Sequence, residues 1–123
     1  MSSQQPTAAT YGLYIEQGAT WRPDHIVMRD KQTQVPLDLT GCTARMHIRR
    51  TLPDVGTLIE LTTNNGRITL GGVAGTIALY ISDEDTALLN FKSAVYDLEL
   101  EYPNGDVVRL LQGSVTLSKE VTR

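Results

Sequence analysis

A single cysteine, Cys42, stands among 123 residues, so no intrachain disulfide can form and a disulfide-stapled scaffold is excluded. Cys42 lies in a run of alternating apolar residues and is expected to pack as a small hydrophobe. Aromatic residues make up only 6% of the chain, and the lone tryptophan, Trp21, is expected to fill the core. Positive charge is not in excess either: 11 Lys and Arg stand against 14 Asp and Glu, a net charge of −3. That balance offers no field to hold nucleic acid or an anionic membrane, so neither is an expected partner. No stretch approaches the ~20 apolar residues of a membrane span. The opening Met1 to Thr10 lacks the basic and apolar regions of a signal peptide, so synthesis in a reducing cytoplasm is expected.

Chemistry-bearing patterns are equally sparse. The two histidines, His25 and His47, lie far apart without the close spacing of zinc ligands, so no metal site is expected. Gly71-Gly72 and Gly75 carry no Gly-Lys-Ser/Thr pattern and read as a turn, not a phosphate loop. No nucleophile with its base and no carboxylate pair in a cleft stands out, so neither catalytic residues nor a cofactor is expected.

What is present is a strand-rich body. The length suits one domain, and 41% apolar with 20% charged residues is ordinary for a globular chain. Met1 to Thr10 is small, polar and aperiodic, the pattern of a flexible arm, so residues 11–123 are expected to form one domain. Short alternating or β-branched runs closed by turn residues predict strands at Leu13 to Glu16, Thr20 to Arg29, Thr43 to Arg50 and Thr57 to Thr63. Further strands are predicted at Arg67 to Leu70, Thr76 to Ser82, Val95 to Tyr102 and Val107 to Ser118. Ala44, Met46 and Ile48 should face the core with Arg45, His47 and Arg49 in water. Tyr96, Leu98 and Leu100 similarly alternate with Asp97, Glu99 and Glu101.

Turn chemistry predicts two hairpins. Asn65-Gly66 suits a type I′ turn that would pair Thr63 with Ile68 and Leu61 with Leu70. Pro103-Asn104-Gly105 suits a three-residue loop with Gly105 left-handed, setting Leu100 opposite Val108, Glu99 opposite Arg109 and Leu98 opposite Leu110. Ser82 followed by Asp85 marks a helix start, with the acidic Asp83, Glu84 and Asp85 near the positive end of the dipole. Several short strands spaced about ten residues apart thus predict an all-β fold, a sandwich or a barrel, with one short helix.

The candidate partner-binding residues are Arg45, His47, Arg49 and Arg50. They form an exposed basic stripe that either grips an acidic partner or phosphate, or pairs with Asp and Glu on a neighbouring strand. The second reading is favoured because no aromatics are interleaved for base stacking.

Two phrases carry a resemblance beyond composition: Ile15-Glu-Gln-Gly-Ala-Thr-Trp and Pro36-Leu-Asp-Leu-Thr-Gly-Cys-Thr-Ala-Arg-Met-His-Ile-Arg. With Tyr96-Asp-Leu-Glu-Leu-Glu-Tyr-Pro-Asn-Gly-Asp, Arg109-Leu-Leu-Gln-Gly-Ser-Val-Thr-Leu-Ser and the closing Glu120-Val-Thr-Arg, the chain resembles small structural proteins of tailed bacteriophages and prophages. It is also similar, more distantly, to the immunoglobulin-like domain that begins phage upper baseplate proteins, and with this resemblance the expected fold class is all-β, an antiparallel immunoglobulin-like β-sandwich of about seven to nine strands with one short helix. The resemblance implies a non-enzymatic virion component of the tail, baseplate or fibre attachment. Such a component is made in the host cytoplasm, copied by virion symmetry, and joined to other virion proteins through edges, loops and arm. A head decoration protein and a carbohydrate- or receptor-binding module are the alternatives.

Overall fold

The computed structural model describes residues 9–51 and 56–121. Within them the chain forms β1 (Ala9–Thr10), β2 (Leu13–Glu16), β3 (Ile26–Val27), β4 (Thr43–Arg49), β5 (Ile59–Thr62) and β6 (Ile68–Leu70). A 3-10 turn at Gly72–Ala74 leads to β7 (Thr76–Leu79), followed by α1 (Asp83–Leu88), β8 (Ser93–Glu101) and β9 (Val107–Ser118). Of the expected arm, residues 1–8 lie outside the described residues, while Ala9 and Thr10 pair with Leu111 and Gln112 of β9.

The period-two pattern places side chains as expected: Ala44, Met46 and Ile48 of β4, and Tyr96, Leu98 and Leu100 of β8, are buried. A six-stranded sheet runs β1-β9-β8-β4-β5, with β2 also along β9, and a three-stranded sheet runs β3-β7-β6. Met46, Ile48, Leu98 and Val115 of the first sheet and Ile68, Ile77 and Leu79 of the second belong to one hydrophobic core. Each fully buried side chain of this size contributes roughly 1.5–3 kcal/mol of transfer free energy. Trp21 is buried there, as expected, and its indole Nε1 donates to the Tyr14 carbonyl at 2.7 Å. Cys42 is only half-buried at the core's margin, where burial pushes its thiol pKa up. The fold is thus all-β, with two sheets and one short helix, compatible with a sandwich.

The sheets depart from the expectation in four places. First, the pairing is not wholly antiparallel, because β1 and β2 run parallel to β9, Leu13 opposite Val115 and Ile15 opposite Leu117. The buried Tyr96 hydroxyl pins this crossing by donating to the Tyr11 carbonyl at 2.6 Å. Gly113 allows the close approach, since a Cβ there would run into that same carbonyl.

Second, Thr20 to Arg29 is not one strand: Trp21 makes a single bridge to Ile81, and only Ile26–Val27 joins a sheet. Pro23 between them has no N–H to offer a ladder. The chain then folds back so that Arg29 bridges Pro36, in a loop held by Asp30 Oδ1 accepting from the Gln32 and Thr33 amides at 2.9 Å.

Third, Asn65-Gly66 joins no hairpin. β5 pairs with β4 and β6 with β7, so this turn carries the chain from one sheet to the other. A type I′ turn needs positive φ at both central residues. Gly66 has φ +81°, but Gln34 is the non-glycine residue with positive φ among the described residues. Asn65 instead uses its side chain, accepting from the Thr62 and Arg67 amides and donating to the Glu60 carbonyl, each at 3.0 Å.

Fourth, the β8–β9 hairpin starts in the expected register, with Leu100 opposite Val108 and Glu99 opposite Arg109, but Leu98 pairs with Leu111 instead of Leu110. A bulge absorbs the extra residue, and both Leu110 and Leu111 are buried. Gly105 does take positive φ, +95°, in a loop closed by the Tyr102 amide donating to Asp106 O at 2.8 Å. The Ser82 cap is likewise present, its hydroxyl accepting from the Asp85 amide at 3.1 Å.

Candidate functional site: the charged face of the six-stranded sheet

Because β4 lies between β5 and β8, the stripe anticipated on β4 meets acidic residues on both sides. Arg45 stands opposite Glu99 and His47 opposite both Glu60 and Asp97. The Arg45 Nε donates to Glu99 Oε1 at 3.1 Å, and His47 Nε2 lies 2.8 Å from Glu60 Oε2. Arg49 Nη2 approaches His47 Nδ1 at 3.1 Å. A guanidinium has only donors, so Nδ1 accepts and the ring proton in this contact sits on Nε2, directed at Glu60. One strand further, Arg109 Nε lies 3.7 Å from Asp97 Oδ2.

Arg45, His47 and Arg49 are therefore brought together, while Arg50 turns away to donate to the Asn90 carbonyl at 3.2 Å. The carboxylates of β8 were visible as an outward row in the alternation. Glu60 was not assigned to this face, because the pairing of β5 with β4 was not predicted. Three arginines (Arg45, Arg49, Arg109) now share the face with four carboxylates (Glu60, Asp97, Glu99, Glu101), so it carries charge of both signs in nearly equal number. Exposed pairs of this kind contribute only about 0–1 kcal/mol each to folding. Their arrangement therefore matters more for what can dock than for stability.

At one end of the face, a shallow depression of about 320 Å³ is lined by Thr43, Arg45, Thr62, Glu99, Glu101 and Val107, among others, with no aromatic ring among them. Exposed tyrosines lie elsewhere, Tyr11 and Tyr14 accompanying β1 and β2, while the partly buried Tyr80 carries the Arg22 guanidinium 4.3 Å above its ring.

Side chains also close parts of the sheet's two outer edges. On β5, the Glu60 carbonyl accepts from Asn65 Nδ2 at 3.0 Å and Arg67 Nη1 at 2.8 Å, and Asn65 Oδ1 takes the Thr62 amide. Arg67 is anchored by Asp85 Oδ2 at 2.7 Å, a hydrogen bond that holds the Asp85 carboxyl below its ordinary pKa. On β2, the Trp21 indole occupies the Tyr14 carbonyl. Such caps remove backbone groups that an added strand would use.

Among the described residues no group of three or more His, Cys, Asp or Glu is placed to hold a metal ion, and no helix is long and apolar enough to cross a membrane. No protein-family profile matches the chain, and no curated protein resembles it at a significant level.

Proposed function

We propose that this chain is an immunoglobulin-like β-sandwich serving as a non-enzymatic structural component of a tailed-bacteriophage virion, in the tail, baseplate or fibre attachment, where it joins neighbouring virion proteins. The strand path supports the immunoglobulin-like part of this reading, and the virion role rests on the resemblance of the phrases quoted above. β4/β5, β6/β7 and β8/β9 are sequential pairs, except that β4/β5 and β8/β9 lie in the large sheet and β6/β7 in the small one. The chain changes sheet between β2 and β3, β3 and β4, β5 and β6, and β7 and β8. This path is compatible with an immunoglobulin sandwich of the variable type, in which β3-β7-β6 would take the places of strands B, E and D and β9-β8-β4-β5 those of G, F, C and C′. The phage-like phrases fall on this framework: the first runs from β2 to Trp21, the second ends in β4, and the later ones cover β8 and β9.

Quantitative mass spectrometry of gradient-purified particles tests the proposal. The chain should appear at a fixed ratio to tail or baseplate proteins, and its absence from intact particles overturns the reading. Recovery on tailless heads would instead favour the head decoration protein. The exposed Tyr11 and Tyr14 motivate the carbohydrate-binding alternative. A glycan array on which binding vanishes with Tyr14→Ala would support it over assembly alone.

A further inference from the structure

We infer that the outer face of the six-stranded sheet is self-complementary and docks a second copy of this chain. The charges lie in columns along the strands: Glu60 on β5, then Arg45, His47 and Arg49 on β4, then Asp97, Glu99 and Glu101 on β8, then Arg109 on β9. Across the sheet the order is thus anionic, basic, anionic, cationic. The central two columns, basic β4 and acidic β8, map onto each other's complement under a two-fold rotation, whereas Glu60 comes over Gln112 and Arg109 over Thr62. With the axis parallel to the strands and midway between β4 and β8, β4 of one copy lies over β8 of the other, and β5 over β9.

The rotation leaves position along the strands unchanged, so the ladder register sets the contacts. Arg45 stands level with Glu99 within one chain, and therefore faces Glu99 of the second copy; His47 similarly faces Asp97. Each contact occurs twice, as an isologous interface requires. The intrachain pairs need not break: each Arg45–Glu99 pair is a dipole across the strands, and the rotation lays its counterpart antiparallel upon it. The side chains of Arg45 and Glu99 are 53% and 29% exposed, leaving surface for these contacts. Aligned face-to-face packing tolerates the twist of the sheets. Desolvating the charges offsets much of the attraction, so the pairing is weak, wet and salt-sensitive. The capped edges of β2 and β5 leave this face as the more accessible route for a second copy on the large sheet.

Sedimentation velocity of the full chain tests the inference. At low ionic strength a concentration-dependent dimer is expected, weakened about tenfold or more when salt shortens the Debye length from ~10 Å to ~3 Å. Arg45→Glu and Glu99→Arg should each be monomeric where wild type dimerises, because like charges then face each other. Their equimolar mixture should regain the dimer, since every exchanged position then meets its opposite. Near-UV circular dichroism checks that each variant is folded. Should either single variant fail to fold, the chain carrying both exchanges restores intrachain and cross-copy pairs and should dimerise like wild type. A wild-type monomer at low salt, a salt-insensitive dimer, a single variant that dimerises normally, or a mixture or double exchange that stays monomeric overturns the inference. A monomeric wild type leaves the virion reading, which rests on particle composition, to its own test.

Discussion

Replacing Tyr96 by Phe isolates the bond that ties the N-terminal strands to β9. The hydroxyl donates to the Tyr11 carbonyl at 2.6 Å from a ring that is only 4% exposed. Removing it at neutral pH should cost about 1 kcal/mol, the usual net worth of one hydrogen bond. The same site makes the wild type sensitive to alkali. Burial, with a smaller contribution from Tyr11, pushes the Tyr96 pKa from 10.0 to about 12. Below the unfolded-state value the phenol is protonated in both states and its contribution is intact. As pH rises from there toward the folded-state value, the unfolded chain releases the proton more readily, so the wild type loses stability. At about pH 11 that loss is roughly 1.4 kcal/mol, one pKa unit's worth, and the Phe variant does not share it. Urea unfolding of both proteins from neutral to about pH 11 should show the stability gap closing and the two curves meeting near ~11. A gap that stays constant with pH would refute a protonated, buried Tyr96 hydroxyl bound to Tyr11.

Leu98→Ala should destabilise the domain by about 2–5 kcal/mol in thermal or urea melts, whereas the exposed-face Glu99→Ala should cost under about 1 kcal/mol. Leu110→Ala is expected to fall toward the lower end of that range, since Leu110 sits at the bulge and is slightly less buried than Leu98; equal losses for Leu98 and Glu99 would reverse the assignment of faces. Gly105→Val forces a β-branched residue to φ +95° and should cost on the order of 1–3 kcal/mol, more than Asn104→Ala, in a denaturant series. Ser82→Ala removes the acceptor of the Asp85 amide and should lower stability by about 1 kcal/mol. Asp85→Asn should flatten the wild type's acid sensitivity: stability conferred by the lowered carboxylate pKa is present above 3.8 and lost as pH falls through the folded value.

Local chemistry was most legible where a residue's partner lies a few positions away. Ser82 finds the Asp85 amide, Gly105 closes its own loop, and the outward row of Arg45, His47 and Arg49 follows from alternation along one strand. Strand β9 matches its expected range, and β8 differs from its expected range only at the ends. The pairing of distant strands was less legible. Ile59, Leu61 and Ile68 reach the core whether Asn65-Gly66 closes a hairpin or carries the chain between sheets, so burial could not choose, and the side-chain bonds of Asn65 did. Leu110-Leu111 presents a related ambiguity: either leucine can face inward, and the bulge buries both.

The amino-acid order alone therefore specifies which residues seek water and which avoid it, because that preference belongs to each side chain and its period along the strand. Which strands become neighbours is a tertiary matter, since β-sheet hydrogen bonds carry no sequence label of their own. The parallel seat of β1 and β2 on β9 depends on Tyr96 reaching Tyr11 across 85 positions and on the absence of a side chain at Gly113. The charged face is decided in the same way. Alternation puts a cationic row on β4, but only the assembled sheet places Glu60 on one side of it, Asp97 and Glu99 on the other, and Arg109 beyond them. Lateral pairing turns a basic stripe into a balanced pattern of alternating charge.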